Sequence, residues 1–213
     1  MNVSKEMLLL YAVTDRAWTG RQTLYEQIEC ALKGGVTMLQ LREKGLAEDE
    51  LVREAAEIRE LCHSYGVPLI INDNADAAIK SGADGVHVGI EDAPVTAIRE
   101  KAGKSFIIGA TAKTVEQAIA AEKAGADYLG VGAIFPSPTK KNAIRITNEQ
   151  LKEICSSVSI PAVAIGGIGL DNMNEIQGSG VSGIAVVSAV FAADDIQKAA
   201  AELKNRAKAL IGQ

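Results

Sequence analysis

The sequence predicts a (β/α)8 barrel formed by the whole chain, residues 1–213, as one domain. First, eight apolar, strand-like runs alternate with helical runs, one about every 27 residues, which is the size of a strand-loop-helix unit in a small barrel. Second, 47% of residues are hydrophobic but only three Phe, four Tyr and one Trp occur, so the core is built of Ala, Val, Ile and Leu, as in parallel α/β packing. Third, the chain echoes itself at Ser81-Gly-Ala-Asp-Gly-Val-His-Val-Gly89, Ala124-Gly-Ala-Asp-Tyr-Leu-Gly-Val-Gly132 and Gly178-Ser-Gly-Val-Ser-Gly-Ile-Ala-Val186. Each copy runs from a helix end through glycine, the residue suited to a left-handed cap, into a strand.

In chain order the strand-like runs are Leu8 to Thr14, Thr37 to Arg42, Pro68 to Asp73, Gly85 to Gly89, Phe106 to Thr111, Tyr128 to Ile134, Ala162 to Gly166 and Ile184 to Ala189. They lack polar alternation, as expected of strands covered on both faces. Glu48 to Tyr65, Thr114 to Lys123 and Asp194 to Ile211 show apolar spacings of three and four with charges opposite, the pattern of helices lying on such a sheet. Thr114 and Asp194 are candidate N-caps. No linker or change of composition marks a domain boundary, and strict alternation favours a closed barrel over an open sheet.

A net charge of -5 argues against a nucleic-acid-binding surface, so an anionic ligand needs a locally positive pocket or a metal ion. Cys30, Cys62 and Cys155 form no Cys-x-x-Cys pair and read as small apolar residues of a reduced, cytoplasmic protein. Met1 to Met7 has no signal-peptide core, and no apolar run approaches the roughly 18 residues of a membrane span. The oligomeric state is open.

In barrels the chemistry sits at the C-terminal ends of the strands. Gln40, Arg42 and Lys44 alternate with Leu39, Leu41 and Glu43, so these long polar side chains share one strand face and reach for a phosphate or carboxylate near the mouth. Ile70-Ile-Asn-Asp73 ends the third strand with an amide and a carboxylate, and Gly89-Ile-Glu-Asp92 places more carboxylates beyond the fourth. Asp73 and Asp92 on neighbouring strand ends can share one divalent cation; Mg2+, held by few carboxylates plus phosphate oxygens, suits a diphosphate ligand. Asp92 alone could equally sit near a helix start, where the dipole favours an acidic residue. His87, flanked by Gly and Val, reads as a hydrogen-bonded core histidine rather than a base. Thr111 ends the fifth strand, with Lys113 two residues on.

The sixth run empties into Pro136-Ser-Pro-Thr-Lys-Lys141, where prolines stop the ladder and hydroxyls and amines gather as in a phosphate-handling loop. Ile165-Gly-Gly-Ile168 and Val187-Ser-Ala189 end the last two strands, the usual place of a barrel's phosphate site.

With these residues in view, the chain resembles the thiamine phosphate synthase family along nearly its whole length. The resemblance rests on Tyr11-Ala-Val-Thr-Asp15, Gln40-Leu-Arg-Glu-Lys44, Ile71-Asn-Asp73, Gly85-Val-His-Val-Gly89 with Glu91-Asp92, Gly125-Ala-Asp-Tyr-Leu-Gly130 through Lys141, and Ile165-Gly-Gly-Ile168. It implies a barrel that joins 4-amino-5-hydroxymethyl-2-methylpyrimidine diphosphate to 4-methyl-5-(2-phosphoethyl)thiazole, or a carboxythiazole phosphate, and releases diphosphate. It implies that Gln40, Arg42, Lys44, Asn72, Thr111 and Lys140 hold the pyrimidine diphosphate, with Arg42, Lys44 and Lys140 catalytic. Asp73 and Asp92 would carry Mg2+; Ser137, Pro138, Thr139, Gly167, Val187 and Ser188 would bind the thiazole phosphate. Two positions depart from the family pattern: Thr111 stands where Ser is frequent, which keeps the hydroxyl, and Lys113 where His is common.

The rivals are a thiazole tautomerase of the same superfamily, a non-catalytic phosphate-binding barrel, and a phosphosugar aldolase or epimerase. A tautomerase has no diphosphate to stabilise, which argues for the synthase. An aldolase would need a desolvated Schiff-base Lys, and Lys44 beside Arg42 fits that poorly. Pro136 to Asn142 is a candidate lid.

Overall fold

In a computed structural model, which describes residues 3–20, 22–137 and 144–211, eight parallel strands close into a barrel in the order of the sequence. The strands are β1 (Leu10–Val13), β2 (Met38–Leu41), β3 (Leu69–Asn72), β4 (Gly85–Val88), β5 (Ile107–Ala112), β6 (Tyr128–Gly132), β7 (Ala162–Ile165) and β8 (Gly183–Val186). The helices are α1 (Leu24–Lys33), α2 (Glu48–Ser64), α3 (Ala75–Ser81), α4 (Val95–Ala102), α5 (Val115–Ala124), α6 (Asn148–Ser156), α7 (Ser188–Phe191) and α8 (Ile196–Ile211). Between β7 and β8 the crossover is a 3-10 turn, Met173–Ile176, in place of an α-helix.

The parity of the strands separates two apolar layers. Tyr11, Met38, Ile70, Ile107, Tyr128, Val163 and Ala185 point inward, with Val3 and Leu8 closing the end from which the strands start. Their neighbours one residue away, among them Leu10, Leu39, Leu69, Ile71, Ile108 and Leu129, pack outward under the helices. Both layers consist mainly of fully buried side chains, so the barrel is a filled core and leaves only its C-terminal mouth for chemistry.

The internal echo has a physical basis that extends beyond the three copies seen in the sequence. Before each even-numbered strand a positive-φ glycine, Gly35, Gly82, Gly125 or Gly180, is followed two residues later by Thr37, Asp84, Asp127 or Ser182. The backbone N-H of each of these donates to the preceding odd strand, at Leu10, Leu69, Ile108 and Ala162, over 2.9, 3.0, 2.7 and 2.7 Å. In the first three copies the side chain closes a second bond, accepting from the N-H of the same residue at 2.9, 2.8 and 2.8 Å. Strands are thus clamped in pairs at the barrel floor. Asp127 also takes Arg99 Nη2 at 2.6 Å, and Asp84 takes His63 Nε2 at 2.9 Å. Asp127→Ala leaves the Ile108 N-H without its acceptor and the guanidinium without its carboxylate, so we expect urea titration to show a loss of about 2–3 kcal/mol with activity per folded molecule retained.

Several expectations need correction. Asp194 is not the residue that caps α8: Asp195 Oδ1 accepts from Lys198 N at 2.9 Å, one residue further on. Thr114 does cap α5, accepting from Gln117 N. The third echo leaves a 3-10 turn rather than an α-helix, with Gln177 as its C-cap and the left-handed Gly178, at φ +74, just after it. The sixth strand stops at Gly132, because Ile134 and Phe135 turn to donate to Ile165 and Gly166 at the end of β7, over 3.1 and 2.9 Å. The eighth stops at Val186, and the run's last residues, Ser188 and Ala189, begin α7.

Candidate active site

The C-terminal mouth collects most of the residues singled out in the sequence. Asn72 closes β3, and Asp73 follows it with φ +61, a left-handed backbone that Asp tolerates better than most side chains and that tends to cluster at functional sites. Its N-H is tied to His87 O at 2.8 Å, so the turn is anchored to β4. Asn72 Nδ2 donates to Asp73 Oδ2 at 2.5 Å. Asp92, in the loop after β4, folds back so that Gly89 N donates to its Oδ2 at 2.6 Å. A helix-start role for Asp92 is thereby set aside, since α4 begins after Pro94. The Asp92 carboxyl is close enough to act on that of Asp73. Burial, and then Asp92, push the Asp73 carboxyl above the usual range, while Asn72 and the charge of Lys44 pull it back.

Two carboxylates held together are a poor arrangement alone and a good one around a cation, and both residues are open to solvent at the mouth. The donors are hard oxygens, and among the described residues no group of three His, Cys, Asp or Glu gathers that could hold a metal by itself. That fits Mg2+, which takes one or two carboxylates and leaves its other positions to water and phosphate; it does not fit a structural zinc site.

β2 delivers the cationic side. Gln40 points inward, 4% exposed. Arg42 emerges just beyond the strand, its N-H held by Thr14 Oγ1 at 2.9 Å and its Nη1 donating to Asp15 Oδ2 at 3.2 Å. Lys44 lies past the strand end and is exposed. The alternation read in the sequence therefore spans a buried amide, a half-buried guanidinium and a solvated amine. Glu43 turns the other way and binds Arg16 at 2.7 Å, with Glu54 as the second partner of Arg16.

Below the mouth runs a polar chain whose two tyrosines were not among the candidate site residues read in the sequence. Gln40 Nε2 donates to Tyr11 Oη at 2.7 Å, the Tyr11 and Tyr128 hydroxyls meet at 2.8 Å, Tyr128 Oη lies 3.1 Å from His87 Nδ1, and His87 Nε2 lies 3.1 Å from Thr111 Oγ1. Room for it comes from glycine: a Cβ on Gly109 would sit 2.1 Å from Tyr128 Cζ and 2.5 Å from His87 Nδ1. His87 is the hydrogen-bonded core histidine that the sequence suggests, and burial holds its ring neutral, pushed down to about 4 against the weaker opposite pull of Asp92. The available signal was strand parity, which places Tyr11, His87 and Tyr128 on inward faces beside small residues.

At the far side of the mouth, Gly166 and Gly167 have φ +104 and +64. The close approach they permit is to the exit of β6: a Cβ on Gly167 would lie 2.2 Å from Pro136 O, and one on Gly166 2.6 Å from Ala133 Cβ. Asn172 Nδ2 caps the turn through Gly167 O at 2.9 Å. Val187, Ser188 and Ala189, at the start of α7, are partly exposed beside it. Ser137 is partly exposed at the end of the described β6 exit. Pro138, Thr139, Lys140 and Lys141 lie outside the described residues, as does most of the candidate lid.

The sequence profile of a family described as "Thiamine monophosphate synthase" matches residues 10–190. Thiamine-phosphate synthase 2 of Streptococcus pneumoniae (strain TIGR4) is 43% identical over 195 residues, covering 92% of this chain and 93% of that protein. The thiamine-phosphate synthase of Clostridium acetobutylicum is 46% identical over 188 residues, covering 88% and 89%. A solved thiamine phosphate pyrophosphorylase from Pyrococcus furiosus superposes with a TM-score of 0.90 at 40% identity, covering 98% of this chain and 99% of that one. With identity sustained across the chain and the same barrel underneath, this chain belongs to the thiamine monophosphate synthase family.

Proposed function

We propose that this barrel joins the pyrimidine diphosphate to the thiazole phosphate, giving thiamine phosphate and diphosphate, in the cytoplasm. The observation that carries the reading is the Asp73 and Asp92 pair at the mouth, with its raised Asp73 carboxyl and with Lys44 close enough to act on it. The family resemblance supplies the substrates.

In the reaction the bond between the pyrimidine methylene carbon and the diphosphate oxygen breaks, and the electron pair leaves with the diphosphate. The thiazole nitrogen then gives its lone pair to that carbon, so no general base is needed. When bound at Asp73 and Asp92, Mg2+ would neutralise charge on the departing diphosphate. Arg42 and Lys44 add positive charge at the mouth, and the family resemblance gives Lys140 the same role. Gln40, Asn72 and Thr111 orient the pyrimidine diphosphate, while Ser137, Pro138, Thr139, Gly167, Val187 and Ser188 hold the thiazole phosphate in line. No apolar helix long enough to cross a membrane occurs among the described residues.

The direct test is thiamine phosphate formation from the two purified substrates with and without Mg2+. Product only with metal supports the reading. Isomerisation of the thiazole phosphate with no carbon-nitrogen bond formed would instead make the chain a tautomerase. Within that assay we expect Lys140→Ala to lower kcat about a hundredfold while the KM for thiazole phosphate moves less than about threefold. Equal losses in both would remove Lys140 from the leaving-group side.

A further inference from the structure

We infer that Tyr11, Tyr128 and His87 are positioning residues that fix the Thr111 hydroxyl as a hydrogen-bond donor to the diphosphate of the pyrimidine substrate. The inference rests on the proposed contact between Thr111 and that substrate, and it concerns a chain of residues no part of which need touch the reacting atoms.

The direction of the chain follows from counting protons. Tyr11 is 1% and Tyr128 0% exposed, and burial holds both phenols well above their ordinary value, so each carries one proton and donates once. Tyr11 already accepts from the Gln40 amide. Its own proton therefore goes to Tyr128, since a buried hydroxyl without an acceptor costs free energy. Tyr128 then gives its proton to the remaining neighbour, His87 Nδ1, at 3.1 Å. A neutral imidazole that accepts at Nδ1 carries its hydrogen on Nε2, which faces Thr111 Oγ1 at 3.1 Å. Thr111 thus accepts from below and retains its own O-H to donate.

Diphosphate oxygens are acceptors only. A threonine hydroxyl rotates freely and offers a lone pair as readily as a proton, so a site built for an acceptor-only anion gains when the wrong orientation is removed beforehand. The chain removes it: with Nε2-H beneath, Thr111 cannot donate downward. The rings are locked for this task. Tyr11 and Tyr128 pack edge to face with centroids 5.9 Å apart, His87 and Tyr128 lie 5.5 Å apart, and Gly109 and Gly130 leave no space for a Cβ beside them.

Two measurements test this. The chain has two histidines, so two-bond 1H-15N correlation spectra of the ligand-free protein, with His63→Gln as the assignment control, read the His87 tautomer. Nε2-H is expected, and Nδ1-H would overturn the inference. In steady-state assays Tyr128→Phe should lower kcat about tenfold with the KM for thiazole phosphate unchanged. The same change in a Thr111→Val background should cost less than about twofold, and in a Thr111→Ser background about tenfold again. Additive losses with Thr111→Val would also overturn it. Should Tyr128→Phe fail to fold by thermal denaturation, Tyr11→Phe carries the same cycle from one link further back. A wild-type protein that makes no thiamine phosphate would sink the proposed function, and the tautomer would still decide the direction of the chain.

Discussion

Asp73→Asn should lower kcat/KM for the pyrimidine diphosphate about 10³-fold, corresponding to the several kcal/mol that a divalent cation contributes at a developing phosphate charge. Asparagine keeps the shape and a carbonyl acceptor, and Asn is at least as comfortable as Asp at the φ of +61 found there. What it removes is one of the two negative charges meeting above β3 and β4. The same pair makes a prediction of opposite sign for stability. Because burial and Asp92 raise the folded Asp73 carboxyl, the folded state holds that proton to higher pH than the unfolded chain does. The contribution is therefore fully present below the unfolded carboxylate value of about 4 and is lost as pH rises through the raised folded one. In metal-free protein, Asp92→Asn should melt progressively higher than wild type as pH is raised from about 4 to 7. Mg2+ with diphosphate should close that gap by stabilising the wild type alone. A protein whose pH-dependent melting is the same in both forms would show that the two carboxyls do not sense each other.

Arg42→Ala is expected to reduce kcat about a hundredfold, within the range for loss of one preorganised donor to a developing anion, with the KM for thiazole phosphate within about twofold of wild type. The residue is anchored at two points, its backbone N-H donating to Thr14 Oγ1 at 2.9 Å and its Nη1 to Asp15 Oδ2 at 3.2 Å, and its side chain is 19% exposed. A group so fixed loses little freedom when it meets a diphosphate. Lys in its place should recover only part of the rate, because a single ammonium cannot grip Asp15 and present a planar fork to phosphate at once. Steady-state kinetics with each substrate varied in turn separates these outcomes; a loss confined to the thiazole KM would place Arg42 on the other half of the site.

The eight-strand order was legible in the sequence because buried parallel strands leave unbroken apolar runs, and the order survives in the closed sheet. Run ends were less legible, for a physical reason. Ile134 is 3% exposed yet belongs to no strand, since it packs under β7 rather than in the ladder. Val187 to Phe191 is as apolar as β8 but turns into α7, and composition does not distinguish a short buried helix from a strand. α4 left little trace because it buries only Ile98, too little for a periodic signal. At the site, Asp73, Asp92, Arg42 and Lys44 were legible because charge at the end of an apolar strand is costly unless water, a counter-ion or a ligand meets it. The tyrosines were not, because Tyr11 and Tyr128 meet across 117 residues of sequence. A hydroxyl on an inward face reads as core until its partners are placed. The first copy of the strand clamp was hidden too, since Thr37 does there what Asp84 and Asp127 do elsewhere.

A crystal structure with Mg2+ and the pyrimidine diphosphate bound tests the central claim most directly. One metal ion is expected in contact with the carboxylates of Asp73 and Asp92 and with diphosphate oxygens, and with Arg42 and Lys44 on the same side. A diphosphate seated elsewhere, or a metal ion from which both aspartates turn away, would contradict it.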